Sequence, residues 1–122
     1  AWILCHDMND PQAALAIAQK GLEIMPSYID LIDTRGAAYY KSGKLSEAYD
    51  DFKTCVEMYA PSSPGLPTAC LHLAKVCLDL GRGNEARENI TRARQIDRLL
   101  RVLTPEQHSE LNSIEASINS LR

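Results

Sequence analysis

A pattern of small and large residues that returns at a regular interval constrains this chain more than anything else in it. Ile32, Arg35-Gly36 and Tyr39 are followed by Ala48, Phe52 and Pro61. Downstream, Cys70, Leu73-Ala74 and Cys77 are followed by Ala86, Ile90 and Ala93. Ala74 holds the small position there, and Cys77 and Ile90 hold large ones. Upstream, Ala14, Ala18, Gly21 and Pro26 give the second half of an earlier unit. Ala14 and Ala48 are 34 residues apart, and Ala48 and Ala86 are 38 apart. The surplus falls in residues 60–67, where three prolines and a glycine mark a loop. Self-similarity at such a period is the signature of stacked structural repeats.

The periodicity between the breaks is helical throughout, so the expected fold class is all-α. Asp10-Pro11 reads as an N-cap and first helical residue, and Ala14, Leu15, Ala18, Leu22 and Met25 then share one face up to Pro26. Ser27-x-x-Asp30 resembles a capping box, with an acid in place of the usual Glu, and opens a helix that Gly43 ends. Leu45 to Tyr59 follows, with Ala48, Phe52 and Val56 at helical spacing. Pro67 to Gly81 carries Leu71, Leu73, Ala74 and Leu78. Asn84 to about Arg101 turns Ala86, Ile90, Ala93, Ile96 and Leu100 inward. Thr104-Pro105-Glu106-Gln107 is the clearest helix start: N-cap, proline at the first position, Gln at the third. Its helix runs to about Leu121 on a stripe of Leu111, Ile114, Ile118 and Leu121. With an incomplete helix before Asp10, that makes seven, and no strand signal.

The middle unit is similar to the tetratricopeptide repeat (TPR) pattern W-x₂-L-G-x₂-Y…A-x₃-F…P. The likeness covers roughly residues 1–98, with 1–26 a partial repeat, 27–61 and 64–98 two full ones, and 104–121 a capping helix. The resemblance implies a right-handed solenoid of antiparallel helix pairs, about two and a half repeats long, within a single domain of residues 1–122. Gly36 and Ala48 would sit where two helices cross, with Tyr39 and Phe52 beside them. The final helix does not carry the pattern. Its Glu106, Ser109, Glu110, Asn112, Ser113, Glu115 and Ser117 form a polar side, expected to face outward from the end of the stack. Arg35 departs from the pattern, which has a large apolar residue there.

Composition narrows the function. A chain of 122 residues suffices for a core without metal or disulfide support. Nothing approaches about 18 consecutive apolar residues, so no membrane span is expected. Residues 1–60 hold nine acids against five basic residues, and 61–122 seven against eight. Neither half is basic enough to suggest nucleic acid. The four cysteines are spaced 50, 15 and 7 residues apart, with no C-x-x-C. They read as small buried hydrophobes, expected reduced and unligated in a reducing, cytoplasmic setting. The chain has no basic-then-apolar start, and Ala1-Trp2-Ile3-Leu4-Cys5 falls where a repeat's first helix should end. The expectation is an excised piece of a longer repeat protein, or a processed chain.

Catalysis needs convergent groups, and the sequence offers few. His6, His72 and His108 sit in separate helices without H-E-x-x-H or Glu-x-x-His. There is no G-x-S-x-G, and Gly81-Arg82-Gly83 reads as a tight turn rather than a phosphate loop. Asn89-Ile90-Thr91 is a sequon at a core position in mid-helix. The expectation is a non-enzyme with no cofactor and no metal.

Two surfaces remain. The resemblance assigns the concave face to the first helix of each repeat. By helical projection its candidate partner-binding residues are Asp30, Asp33, Tyr40 and Lys41, with Leu71 and Lys75 in the third unit. Ala37, Thr68, His72 and Asp79 project the same way. Asp33, Ala37, Thr68 and His72 stand where a chaperone-carboxylate clamp would have Lys, Asn, Lys and Arg, so that ligand is excluded. Asp30 and Asp33 favour a basic or neutral segment. The second surface is an arginine stripe, Arg87, Arg94, Arg98 and Arg101, a secondary candidate suited to acidic partners. The function expected is a scaffold that holds a protein or peptide. The alternative is a structural spacer, or a fragment that self-associates through its N-terminal edge at Ala1 and Trp2.

Overall fold

The computed structural model describes residues 11–120, and every regular element among them is an α-helix. The six helices are α1 (Pro11–Ile24), α2 (Ile29–Lys41), α3 (Leu45–Met58), α4 (Leu66–Asp79), α5 (Gly83–Leu100) and α6 (Pro105–Ser120). Asp10, Cys5, His6, Ala1, Trp2 and Leu121 lie outside the described residues, and with them the first N-cap, the incomplete helix and the N-terminal edge. The chain divides into two compact units, the first ending at Met58 and the second beginning at Tyr59.

In the first unit α1 packs on α2 and α2 on α3. Three residues link α2 to α3, so a helix that packs on its predecessor has only the return direction open to it. Ala14, Leu15, Ala18 and Leu22 of α1 are buried, as are Ile32, Ala37 and Ala38 of α2 and Ala48, Phe52, Cys55 and Val56 of α3. Gly36 permits the close approach of α2 and α3. A Cβ there would lie 2.9 Å from Phe52 Cε1 and 3.1 Å from Asp51 Cβ. Ala48 is fully buried.

In the second unit α4 packs on α5, and α6 packs on both. Ten of the fourteen residues of α4 are buried, including Cys70, Leu71, Leu73, Ala74 and Cys77. The core continues through Ala86, Ile90 and Ala93 of α5 and Leu111, Ile114 and Ile118 of α6.

The ends follow their chemistry, with one correction. Gly43 and Gly81 take positive φ, 79° and 80°, just beyond α2 and α4. At α6 the capping box is complete. The Gln107 amide donates to Thr104 Oγ1 at 3.1 Å, and the Thr104 amide donates to Gln107 Oε1 at 2.9 Å. At α2 the expected box does not form: the N-cap is Tyr28, and its side chain makes no capping bond. The backbone closes that turn instead, with the Tyr28 amide on Met25 O and the Leu31 and Ile32 amides on Tyr28 O. Helix α4 begins one residue before Pro67, at Leu66.

Candidate functional site

In the first unit the projected face of α2 keeps its edge open. Asp30 and Lys41 are exposed, Asp33 and Tyr40 are partly exposed, and Ala37 lies buried. The positions i, i+3, i+7, i+10 and i+11 place these residues on one side of the helix. Near them, α1 and α2 share a long hydrogen bond, the Gln19 amide donating to Tyr39 Oη at 3.5 Å.

Beneath the α2–α3 contact, Arg35 meets a partner. Its Nε donates to Asp51 Oδ2 at 2.8 Å and its Nη2 to Asp51 Oδ1 at 2.7 Å. This is a fork-on-fork pair. The Asp51 side chain is 8% exposed and that of Arg35 31%. The hydrogen bond to Asp51, against some desolvation, holds the guanidinium charged beyond even its ordinary range. Arg35 therefore fills its apolar slot with a stem whose head is neutralised from α3. Close by, the Cys55 thiol donates to Ile29 O at 3.8 Å. Burial first, then Asp33, Asp51 and Asp30, push that thiol far up, so it holds no reactive thiolate.

The second unit departs from the open face expected of it. Leu71 is 1% exposed and His72 is 7%, so both belong to the interior and offer a partner no surface. Lys75 Nζ lies 2.7 Å from Glu110 Oε2 of α6. Gln107 Nε2 donates to Thr68 Oγ1 at 3.3 Å. The last helix thus binds two of the positions that projection leaves to a ligand.

The same helix divides the arginine stripe. Arg94 donates from Nη1 to Glu115 Oε2 at 2.9 Å and from Nη2 to Asn112 Oδ1 at 2.8 Å. Arg87 Nη2 donates to Asn119 Oδ1 at 3.4 Å. Hydrogen bonding to Arg94 holds the Glu115 carboxyl below the usual range. Glu110, Asn112 and Glu115 therefore turn toward α4 and α5 instead of facing wholly outward, because those helices present cations along the flanks that α6 covers. Arg98 and Arg101 are exposed and have no carboxylate partner among the described residues.

Sequence reasoning missed two organising acids. Asp51 sits three residues after Ala48 and four before Cys55. Asp97 sits four after Ala93. Each thus continues an apolar stripe, which is the signal that was there to find. Asp97 is 8% exposed, so it does not dilute the arginine charge at the surface. Its Oδ1 accepts from the amides of Val102 and Leu103 at 2.8 and 2.9 Å, and its Oδ2 lies 3.0 Å from His108 Nε2.

Cys55, Cys70 and Cys77 are buried and outside any disulfide. Burial, opposed by Arg92, pushes the Cys70 thiol up to about 11. Asn89 is buried and donates to Glu85 O at 2.9 Å, which withdraws the sequon from modification. Among the described residues, no cluster of His, Cys, Asp and Glu is placed to hold a metal ion, and no helix is long and apolar enough to cross a membrane. A search against protein-family models finds no match for the chain.

Proposed function

We propose that this chain is a TPR-like helical-repeat module that holds a protein or peptide and catalyses no reaction. The observation that carries this reading is the use of one design twice. A small residue on a first helix, Gly36 or Ala74, is buried along with a large residue on the second, Phe52 or Ile90. The design follows the sequence repeat that resembles the TPR pattern. The binding surface is the side of α2 carrying Asp30, Asp33, Tyr40 and Lys41. Tyr40 supplies rigid amphipathic area of the sort found at interface hot spots. The two aspartates set a preference for a basic or neutral segment.

The test is photo-crosslinking from a benzophenone residue placed at Tyr40, with partner binding then compared for Asp33→Ala, Tyr40→Ala and Arg94→Ala. Loss of binding in the first two supports the reading, as does weakening by salt. Loss confined to Arg94→Ala sinks it. Sedimentation across concentration separates the competing reading, a self-associating spacer, which requires the chain to dimerise alone at micromolar levels.

A further inference from the structure

The junction of α5 and α6 holds a second feature, independent of the α2 surface. Arg101 caps α5 in the left-handed conformation, φ 53° and ψ 50°, the one non-glycine residue with positive φ among those described. The ends of α2 and α4 put glycine at positive φ, where it costs nothing in sterics. At Arg101 a long cationic side chain is kept on a backbone that glycine fits better. Strained positions of this kind concentrate at working surfaces.

The surroundings of Arg101 are built and rigid. The Arg101 amide donates to Asp97 O at 2.7 Å, and the buried Asp97 carboxylate accepts the next two amides. Leu103 turns inward at 8% exposure and anchors the turn from below. What the turn presents outward is apolar and cationic together. Leu99 is 86% exposed, Val102 is 38% exposed, and both are flanked by Arg98 and Arg101, neither of which has a carboxylate partner among the described residues. The other members of the stripe, Arg87 and Arg94, are engaged by α6. Asp97, on the last turn of α5, is committed to backbone amides and His108.

We infer that this shoulder, Arg98, Leu99, Arg101 and Val102, docks an acidic segment of a partner protein that carries apolar side chains between its carboxylates. Charge complementarity selects the acid, and two guanidinium forks suit carboxylates better than they suit a featureless negative surface. The exposed Leu99 and Val102 require an apolar counterpart. Two side chains are too small an apolar footprint to hold a membrane, which takes a broad amphipathic face. Clamping by Asp97 means that little ordering is left to be done on binding.

The experiment uses fluorescence anisotropy with the full chain and a labelled amphipathic peptide of alternating glutamate and leucine clusters. Its lysine-for-glutamate counterpart and vesicles containing phosphatidylserine are parallel probes. The glutamate peptide should bind and weaken with salt, while the lysine peptide and the vesicles do not bind. Arg98→Ala combined with Arg101→Gly should lose about tenfold in affinity, as expected for two exposed ion pairs. Leu99→Ser should also weaken binding without a change in Tm. Arg101→Gly alone is the discriminating variant. Its Tm should stay level or rise while its affinity falls, a combination that a purely structural arginine would not give. No binding of the glutamate peptide, equal binding of both peptides, preference for the vesicles, or a lowered Tm in Arg101→Gly would each overturn the proposal.

Discussion

Arg35 and Asp51 show how much one pair of side chains decides. Removing the arginine leaves a nearly buried carboxylate without its partner, the costly way to break an ion pair. Because Arg35 is partly exposed and water can reach the gap, Arg35→Ala should destabilise by about 2–3 kcal/mol, at the lower end for an orphaned buried charge, measured by denaturant unfolding. The cysteines give a pH prediction of definite sign. The Cys70 thiol ionises at about 11 in the folded chain against an ordinary 9.0, so the folded state holds its proton longer. Stability is then fully present below pH 9 and falls as pH rises toward 11, by up to about 3 kcal/mol from this group. Cys70→Ala should flatten that alkaline fall, and a fall of unchanged steepness would contradict it. The burial of Cys55, Cys70 and Cys77 was legible in the sequence, since each takes a position that the repeat pattern turns inward. The partner of Arg35 was not. A pair 16 residues apart depends on which faces two helices turn to each other, and only the intrusion of Asp51 into an apolar stripe hinted at it.

At the scale of elements, caps and crossings were legible where the signal is local. Thr104 to Gln107 forms the box that its spelling implies. Thr104→Ala should therefore cost about 1 kcal/mol in denaturant unfolding, and Thr104→Ser much less. Ser27 carried a weaker version of the signal and lost to the backbone turn at Tyr28, which satisfies the same amides without a side chain. Gly36 tests the crossing. Alanine is the better helix former by about 1 kcal/mol, so in isolation the substitution would stabilise α2. Its Cβ would stand 2.9 Å from a buried Phe52 ring and 3.1 Å from the Cβ of Asp51, which Arg35 holds in place. With both neighbours held, overpacking should reach the upper part of its usual range, about 2–3 kcal/mol, leaving Gly36→Ala net destabilised by about 1–2 kcal/mol, read from the shift in urea midpoint. The fate of α6 was the least legible. Its polar residues read as a solvent face, yet a helix that packs on two others must still choose which flank to lay down. Lys75, Arg87 and Arg94 made that choice from the two helices before it, through pairs too far apart in sequence for any local signal to reveal.

Across the whole molecule, stability should be unevenly spread, and the second unit shows how. Helix α4 buries ten of its fourteen residues, whereas α6 buries three of sixteen. What α6 lacks in apolar contact it makes up at its margins through Lys75–Glu110, Arg94–Glu115 and the Gln107–Thr68 bond. Exposed pairs of this kind are worth little each and are screened by salt. Apolar burial is not screened. Native-state hydrogen exchange should accordingly find the amides of α4 among the slowest in the unit and those of α6 opening first. Raising salt should speed exchange in α6 while leaving α4 nearly unchanged, because only α6 depends on charge for its docking. The Glu110→Gln and Glu115→Gln double variant should reproduce at low salt what high salt does to the native chain. If α4 and α6 instead exchange together in both conditions, the second unit opens as one body, and the polar margin of α6 contributes nothing separable to holding it down.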